Sequence, residues 1–85
     1  MPTFTINLYP NPTNGKVTLE MSNYPYEVLT MKVYNILGEM IFDTPLGIER
    51  QQTFDFKRFA NGLYYVKISG NKLNKIEKLL IQKID

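Results

Sequence analysis

The 85-residue sequence contains no cysteine, no histidine and no tryptophan. Without cysteine there is no disulfide and no thiolate nucleophile; without histidine there is no imidazole acid or base and no Cys/His zinc site. Most familiar enzyme mechanisms are thereby excluded. The carboxylates are scattered singly, and no glycine-rich phosphate loop precedes a helix, so no catalytic residue, cofactor or metal is expected. Long apolar runs are missing too. The longest, Leu63 to Val66, falls far short of the roughly 20 residues that span a bilayer as a helix. The first residues, Met1-Pro2-Thr3-Phe4-Thr5, have neither the basic flank nor the apolar core of a signal peptide. The lack of cysteine leaves the compartment open, because a secreted domain with an adequate core does without disulfides.

What is present fits one small domain with a single core. Ten basic residues against eight acidic ones give a net charge of only +2, too little to imply an acidic partner. Its distribution is uneven. Residues 1–56 carry Lys16, Lys32 and Arg50 against Glu20, Glu27, Glu39, Asp43, Glu49 and Asp55. Residues 57–85 carry Lys57, Arg58, Lys67, Lys72, Lys75, Lys78 and Lys83 against only Glu77 and Asp85. The last third of the chain is its basic part.

The dominant hydrophobic period is two. Phe4, Ile6 and Leu8 alternate with polar residues, as do Val17, Leu19 and Met21, which is the pattern of half-buried strands. Leu29, Met31 and Val33 continue it, followed after a break by Met40 to Phe42. In that break, Asn35-Ile36-Leu37-Gly38 places Asn first and Gly fourth in a type I turn, with Gly in the left-handed region closing a three-residue loop. Residues 28–44 therefore read as one hairpin. Gln51 to Phe56 reads as a fifth strand and Leu63 to Ser69 as a sixth, entered through Asn61-Gly62, where positive φ is tolerated. Residues 74–83 fit a helical face through Leu73, Ile76, Leu80 and Ile84, but also a strand through Leu79 and Ile81. The Gly70-Asn71 turn before them favours the strand. Seven short strands without a convincing helix predict an all-β, antiparallel sandwich.

Four motifs stand out. Pro10-Asn11-Pro12-Thr13-Asn14-Gly15 separates the first two strands; its prolines lack N–H groups and fix φ, so the segment is a stiff turn that also suits a preformed recognition surface. The hairpin glycine Gly38 is the second. In the third, Gly62-Leu63-Tyr64, the tyrosine opens a strand and is placed to turn its hydroxyl back onto the main chain, as a tyrosine corner does. The fourth, Lys78-Leu79-Leu80-Ile81, reads as a final strand whose lysines guard an edge, or as an edge and basic tail that a receptor grips by strand addition. Tyr24, Tyr26 and Tyr9 offer an alternative, an aromatic platform of an adhesive or carbohydrate-binding sandwich. A nucleic-acid partner is not expected, since Gly62 to Ile68 lacks the basic-Gly-aromatic-Gly start and βαβ setting of an RNA-binding sheet, and only the lysine-rich end speaks for one.

In order and spacing, Pro10-Asn11-Pro12 with Gly15, then Gly38, then Gly62 and Tyr64, then Lys78-Leu79-Leu80-Ile81 resemble the type A C-terminal sorting domain of the type IX (Por) secretion system. The resemblance covers roughly Ile6 to Gln82, so residues 1–5 read as a leading linker and 6–85 as the domain. It implies a seven-stranded immunoglobulin-like β-sandwich at the end of a larger exported protein of Bacteroidetes-type bacteria. The domain would direct this cargo from the periplasm through the outer-membrane translocon to the surface or the medium. A sortase would then remove it, releasing the cargo or attaching it to anionic lipopolysaccharide. The implied partners are the translocon, the sortase and the N-terminal cargo. Loop and Tyr residues would preserve the fold, and the basic end would contact the export machinery. Gln82 to Asp85 extend past the family's terminal motif, a departure from its pattern.

Overall fold

The computed structural model describes residues 3–24 and 27–84. Seven strands follow one another: β1 (Thr5–Tyr9), β2 (Lys16–Ser22), β3 (Thr30–Tyr34), β4 (Met40–Pro45), β5 (Gln51–Asp55), β6 (Gly62–Ser69) and β7 (Asn74–Ile81). They form two antiparallel sheets, one ordered β1-β2-β5 and the other β4-β3-β6-β7. The expected all-β sandwich is thus observed, and the ambiguous segment near the end is strand. An antibody constant domain places its fourth strand beside the fifth. Here β4 stays beside β3, because the hairpin that joins them is tightly built.

That hairpin is a three-residue loop of the expected kind. Asn35 C=O accepts the Gly38 N–H at 3.0 Å, Asn35 N–H donates to Glu39 C=O at 3.0 Å, and Gly38 has φ +82°. The Asn35 side chain adds to it, its Oδ1 accepting the Leu37 and Glu39 N–H groups at 2.9 and 3.0 Å. The extra residue is absorbed by a register shift between Val33 and Tyr34. A one-residue irregularity beside the turn, rather than a slip of the whole strand, keeps Met31 and Val33 facing inward.

The core fills the space between the sheets with the inward residues of each alternating strand. Val17, Leu19 and Met21 from β2 meet Met31 and Val33 from β3, Val66 and Ile68 from β6, and Leu79 and Ile81 from β7, all buried. Phe4 is buried as well and Thr5 opens β1, continuing the alternation of Phe4, Ile6 and Leu8. Toward one end the core becomes aromatic. Phe56 lies 5.2 Å from both Phe42, edge-on, and Phe59, stacked, and Phe59 lies 5.9 Å from Tyr64.

Tyr64 performs the role foreseen for it. Its ring is buried at the start of β6 and its hydroxyl donates to the Ala60 carbonyl at 2.6 Å, closing the bend that carries the chain from β5 across to β6. This is the arrangement of a tyrosine corner. Removing the hydroxyl deletes one hydrogen bond and leaves the packing intact, so Tyr64→Phe should cost about 1 kcal/mol and lower the melting temperature by about 4 to 8 °C. A thermal unfolding curve superimposable on the parent's would refute this role.

Candidate functional site

Because the strands alternate in direction, the β1–β2, β3–β4 and β5–β6 connections all lie at one pole of the sandwich, together with the end of β7. Every motif picked out in the sequence therefore sits at this pole. Thr3 lies at the other, where the Asn23 side-chain amide donates to its carbonyl at 2.8 Å. The domain measures 44 Å in its longest dimension.

Three of the four motifs are joined by hydrogen bonds. Asn11 Nδ2 donates to Lys78 C=O at 2.7 Å, and Leu80 N–H donates to Asn11 Oδ1 at 3.0 Å. Two residues further, Thr13 N–H donates to Leu80 C=O at 2.9 Å and Gln82 N–H donates to Thr13 C=O at 2.8 Å. Thr13 and Ile81 pair in parallel. The Asn11 side chain and the Thr13 backbone thus act as a short added strand on the outer edge of β7. The chain leaves β1, paired in one sheet, and within a few residues engages the edge of the other. Both peptide bonds preceding Pro10 and Pro12 are cis. Thr13 is 2% exposed, its hydroxyl bonded to Lys16 C=O and accepting the Gly15 N–H at 3.0 Å.

Gly15 belongs to this junction for a steric reason. Its φ is +131°, and a Cβ there would lie 2.9 Å from Lys57 Cα and 2.6 Å from Lys57 Cγ. The close approach lets Phe56 N–H donate to Gly15 C=O at 2.8 Å, tying the first motif to the turn after β5. That turn is tied in turn to the end of the chain. Lys83 N–H donates to Asn61 Oδ1 at 2.9 Å, while its ammonium donates to the Lys57 and Phe59 carbonyls at 2.9 and 2.6 Å. The hairpin bearing Gly38 shares the pole and is joined to β6 through the β3 ladder, but among the described residues no side-chain hydrogen bond of its Asn35–Gly38 loop reaches the other three motifs.

The motif Lys78-Leu79-Leu80-Ile81 divides in two. Leu79 and Ile81 are buried in the core, whereas Lys78 and Leu80 face solvent. The edge at this point is not free, since Asn11 and Thr13 occupy it. Gln82 and Lys83, which extend past the motif, are part of the bonded structure. Thr13 and Lys83 were not singled out in the sequence. A buried threonine in a turn and a lysine that caps carbonyls have no local signature, and both act on residues far away along the chain. Of the tyrosines of the alternative platform, the two described ones lie at opposite poles. Tyr9 ends β1 at the motif pole, whereas Tyr24 follows β2 at the other, its hydroxyl donating to Glu27 C=O at 2.8 Å. Tyr26 lies outside the described residues.

The geometry defines a β-sandwich whose distinctive residues brace one pole rather than line a reaction site. Residues 7–82 match the secretion system C-terminal sorting domain, and the chain belongs to that family, that of the type IX secretion system. Among curated proteins it is similar to an endo-acting ulvan lyase of Formosa agariphila, 26% identical over 78 residues. The match takes in 92% of this chain and spans only 15% of that protein's length. A domain of this family is a sorting signal at the C-terminus of a larger cargo, marking it for export to the cell surface or the medium.

Positive φ operates at Gly15 and at Gly62, where it is +155° with open space around the missing Cβ. Only Gly15 adds a backbone collision. Gly62→Ala should cost about 1 kcal/mol, and Gly15→Ala about 2 to 3 kcal/mol, because Lys57 must move as well. Equal losses in denaturant titrations of the two variants would show that the contact with Lys57 carries no weight.

Proposed function

We propose that this domain directs its cargo through the type IX outer-membrane translocon and is then removed by a sortase, with recognition at the braced pole. The observation that supports this reading is the convergence of Pro10, Asn11, Pro12 and Gly15, Gly62 and Tyr64, and Lys78 to Ile81 into one bonded end, at the pole away from the chain's entry. A cargo attached ahead of Thr3 leaves that end unobstructed. The roles divide along lines of burial. Asn11, Gly15, Gly62, Tyr64, Leu79 and Ile81 hold the shape, and Lys78 and Leu80 are the side chains of the last motif presented to the machinery. The recognised feature is a rigid folded surface that loses little entropy when a partner engages it.

Trimming residues 78–85 is a poor test, since it removes Leu79 and Ile81 from the core and unfolds the domain. A better one fuses residues 1–85 behind a periplasm-targeted reporter and compares a type IX-competent bacterium with the same strain lacking the translocon. The reporter should reach the surface or the medium only in the first strain, and there it should lose about the 9.9 kDa of the domain. Equal export in both strains would refute the routing, and export at undiminished mass would refute removal.

A further inference from the structure

The two outer faces of the sandwich have different chemistry. On the three-stranded sheet the outward side chains are mainly polar, Thr5, Asn7, Thr18, Glu20, Gln51 and Thr53, with Lys16 opposite Asp55 and Tyr9 the one aromatic, its hydroxyl engaged by Gln51. The four-stranded sheet is another matter. Cross-strand partners share a face, and one row runs Met40, Tyr34, Tyr65, Lys78 from β4 to β7. The next row runs Asp43, Lys32, Lys67, Ile76, and Leu63 and Leu80 form a pair on the side of the braced pole. Met40, Ile76 and Leu80 expose 51, 62 and 36% of their surface on this one face.

We propose that this outer face is a docking surface for a protein partner presenting an apolar strip bordered by carboxylates. Its centre is aromatic and aliphatic, the composition that distinguishes interface cores, and its charge is three lysines against one aspartate. Lys32 stands directly opposite Lys67. Like charges so placed destabilise a sheet, and a partner's carboxylate relieves the repulsion. The same lysines disfavour a second copy of the chain, which would meet them with its own. Four strands about 4.8 Å apart and the length of β6 give a face of about 500 Å², below the roughly 800 Å² per partner of a stable complex. Such an area suits a contact that must be released. The proposal rests on the sorting function and adds to Lys78 and Leu80 the neighbours Tyr34, Tyr65, Lys67 and Met40.

The test uses the same reporter fusion. Lys67→Glu converts the like-charge pair with Lys32 into an opposite-charge pair, so the fold is held at least as well while the docking charge is reversed. Export of Lys67→Glu and of Tyr65→Thr should fall about tenfold or more, with Lys67→Glu melting no lower than the parent and Thr5→Glu, opposite the uncharged Ser22 on the other outer face, exporting normally. Parental export of Lys67→Glu would overturn the proposal. So would flotation of the parent domain, but not of Lys67→Glu, with phosphatidylglycerol-containing vesicles, because the occupant would then be lipid. A dimer in sedimentation velocity that Lys67→Glu abolishes would overturn it as well, assigning the face to self-association. The parent fusion in the strain without translocon separates these results from a failure of the sorting function itself: if its export is translocon-dependent and Lys67→Glu matches it, only the docking face is wrong.

Discussion

The clasp between the first loop and the last strand is the constraint on which the rest of the domain depends. β1 and β7 are the edge strands of different sheets, and hydrogen bonds between loop and strand hold them side by side. A two-sheet sandwich is otherwise open along this side. Asn11 and Thr13 close it by supplying four hydrogen bonds in the pattern of a parallel strand. Gly15 then has to lie against Lys57, and the turn after β5 is placed where Asn61 and two carbonyls receive Lys83. Breaking the first contact would loosen each of those that follow.

The clasp also determines which part of the β7 edge can meet other chains. In an antiparallel ladder alternate residues turn their N–H and C=O groups outward, so Asn74, Ile76, Lys78 and Leu80 point away from β6. The last of these is occupied on both groups and Lys78 on its carbonyl. Upstream, Lys75 and Glu77 share the inward face with Leu79 and Ile81. Inward-pointing charges are a known defence against edge-to-edge pairing. Strand addition is therefore opposed along the whole of β7, by bonding at one end and by charge at the other. The basic last third of the chain is likewise not one feature. Lys83 caps carbonyls, Lys75 guards an edge, and Lys67 and Lys78 lie on the outer face of the four-stranded sheet.

Much of this was legible in the sequence because it is local. The period-two runs of Val17, Leu19 and Met21 or of Val66 and Ile68 report burial on one face directly. Asn35 and Gly38 specify their turn within four residues, and Tyr64 reaches back only as far as Ala60. The clasp was not legible in the same way. Asn11 was picked out as part of a stiff loop, but its partners lie 67 and 69 residues further along the chain, and nothing in the loop names them. Thr13, inside the same loop, and Lys83, in the basic end, have partners that are no more legible. Their importance comes from where the fold carries them, and a side chain that bonds main-chain atoms leaves no matching residue type at the other end.

Native-state amide hydrogen exchange tests the clasp most directly. Ile76, Leu80 and Gln82 lie in the last segment of the chain, yet only the latter two N–H groups have partners in the first loop. In the parent domain Leu80 and Gln82 should be protected and Ile76, on the same outward edge, should exchange freely; Asn11→Ala should bring Leu80 toward the rate of Ile76 while the core amides of β6 remain protected. If Leu80 and Gln82 exchange as fast as Ile76 in the parent, the first loop does not hold the last strand, and the account of the braced pole is wrong.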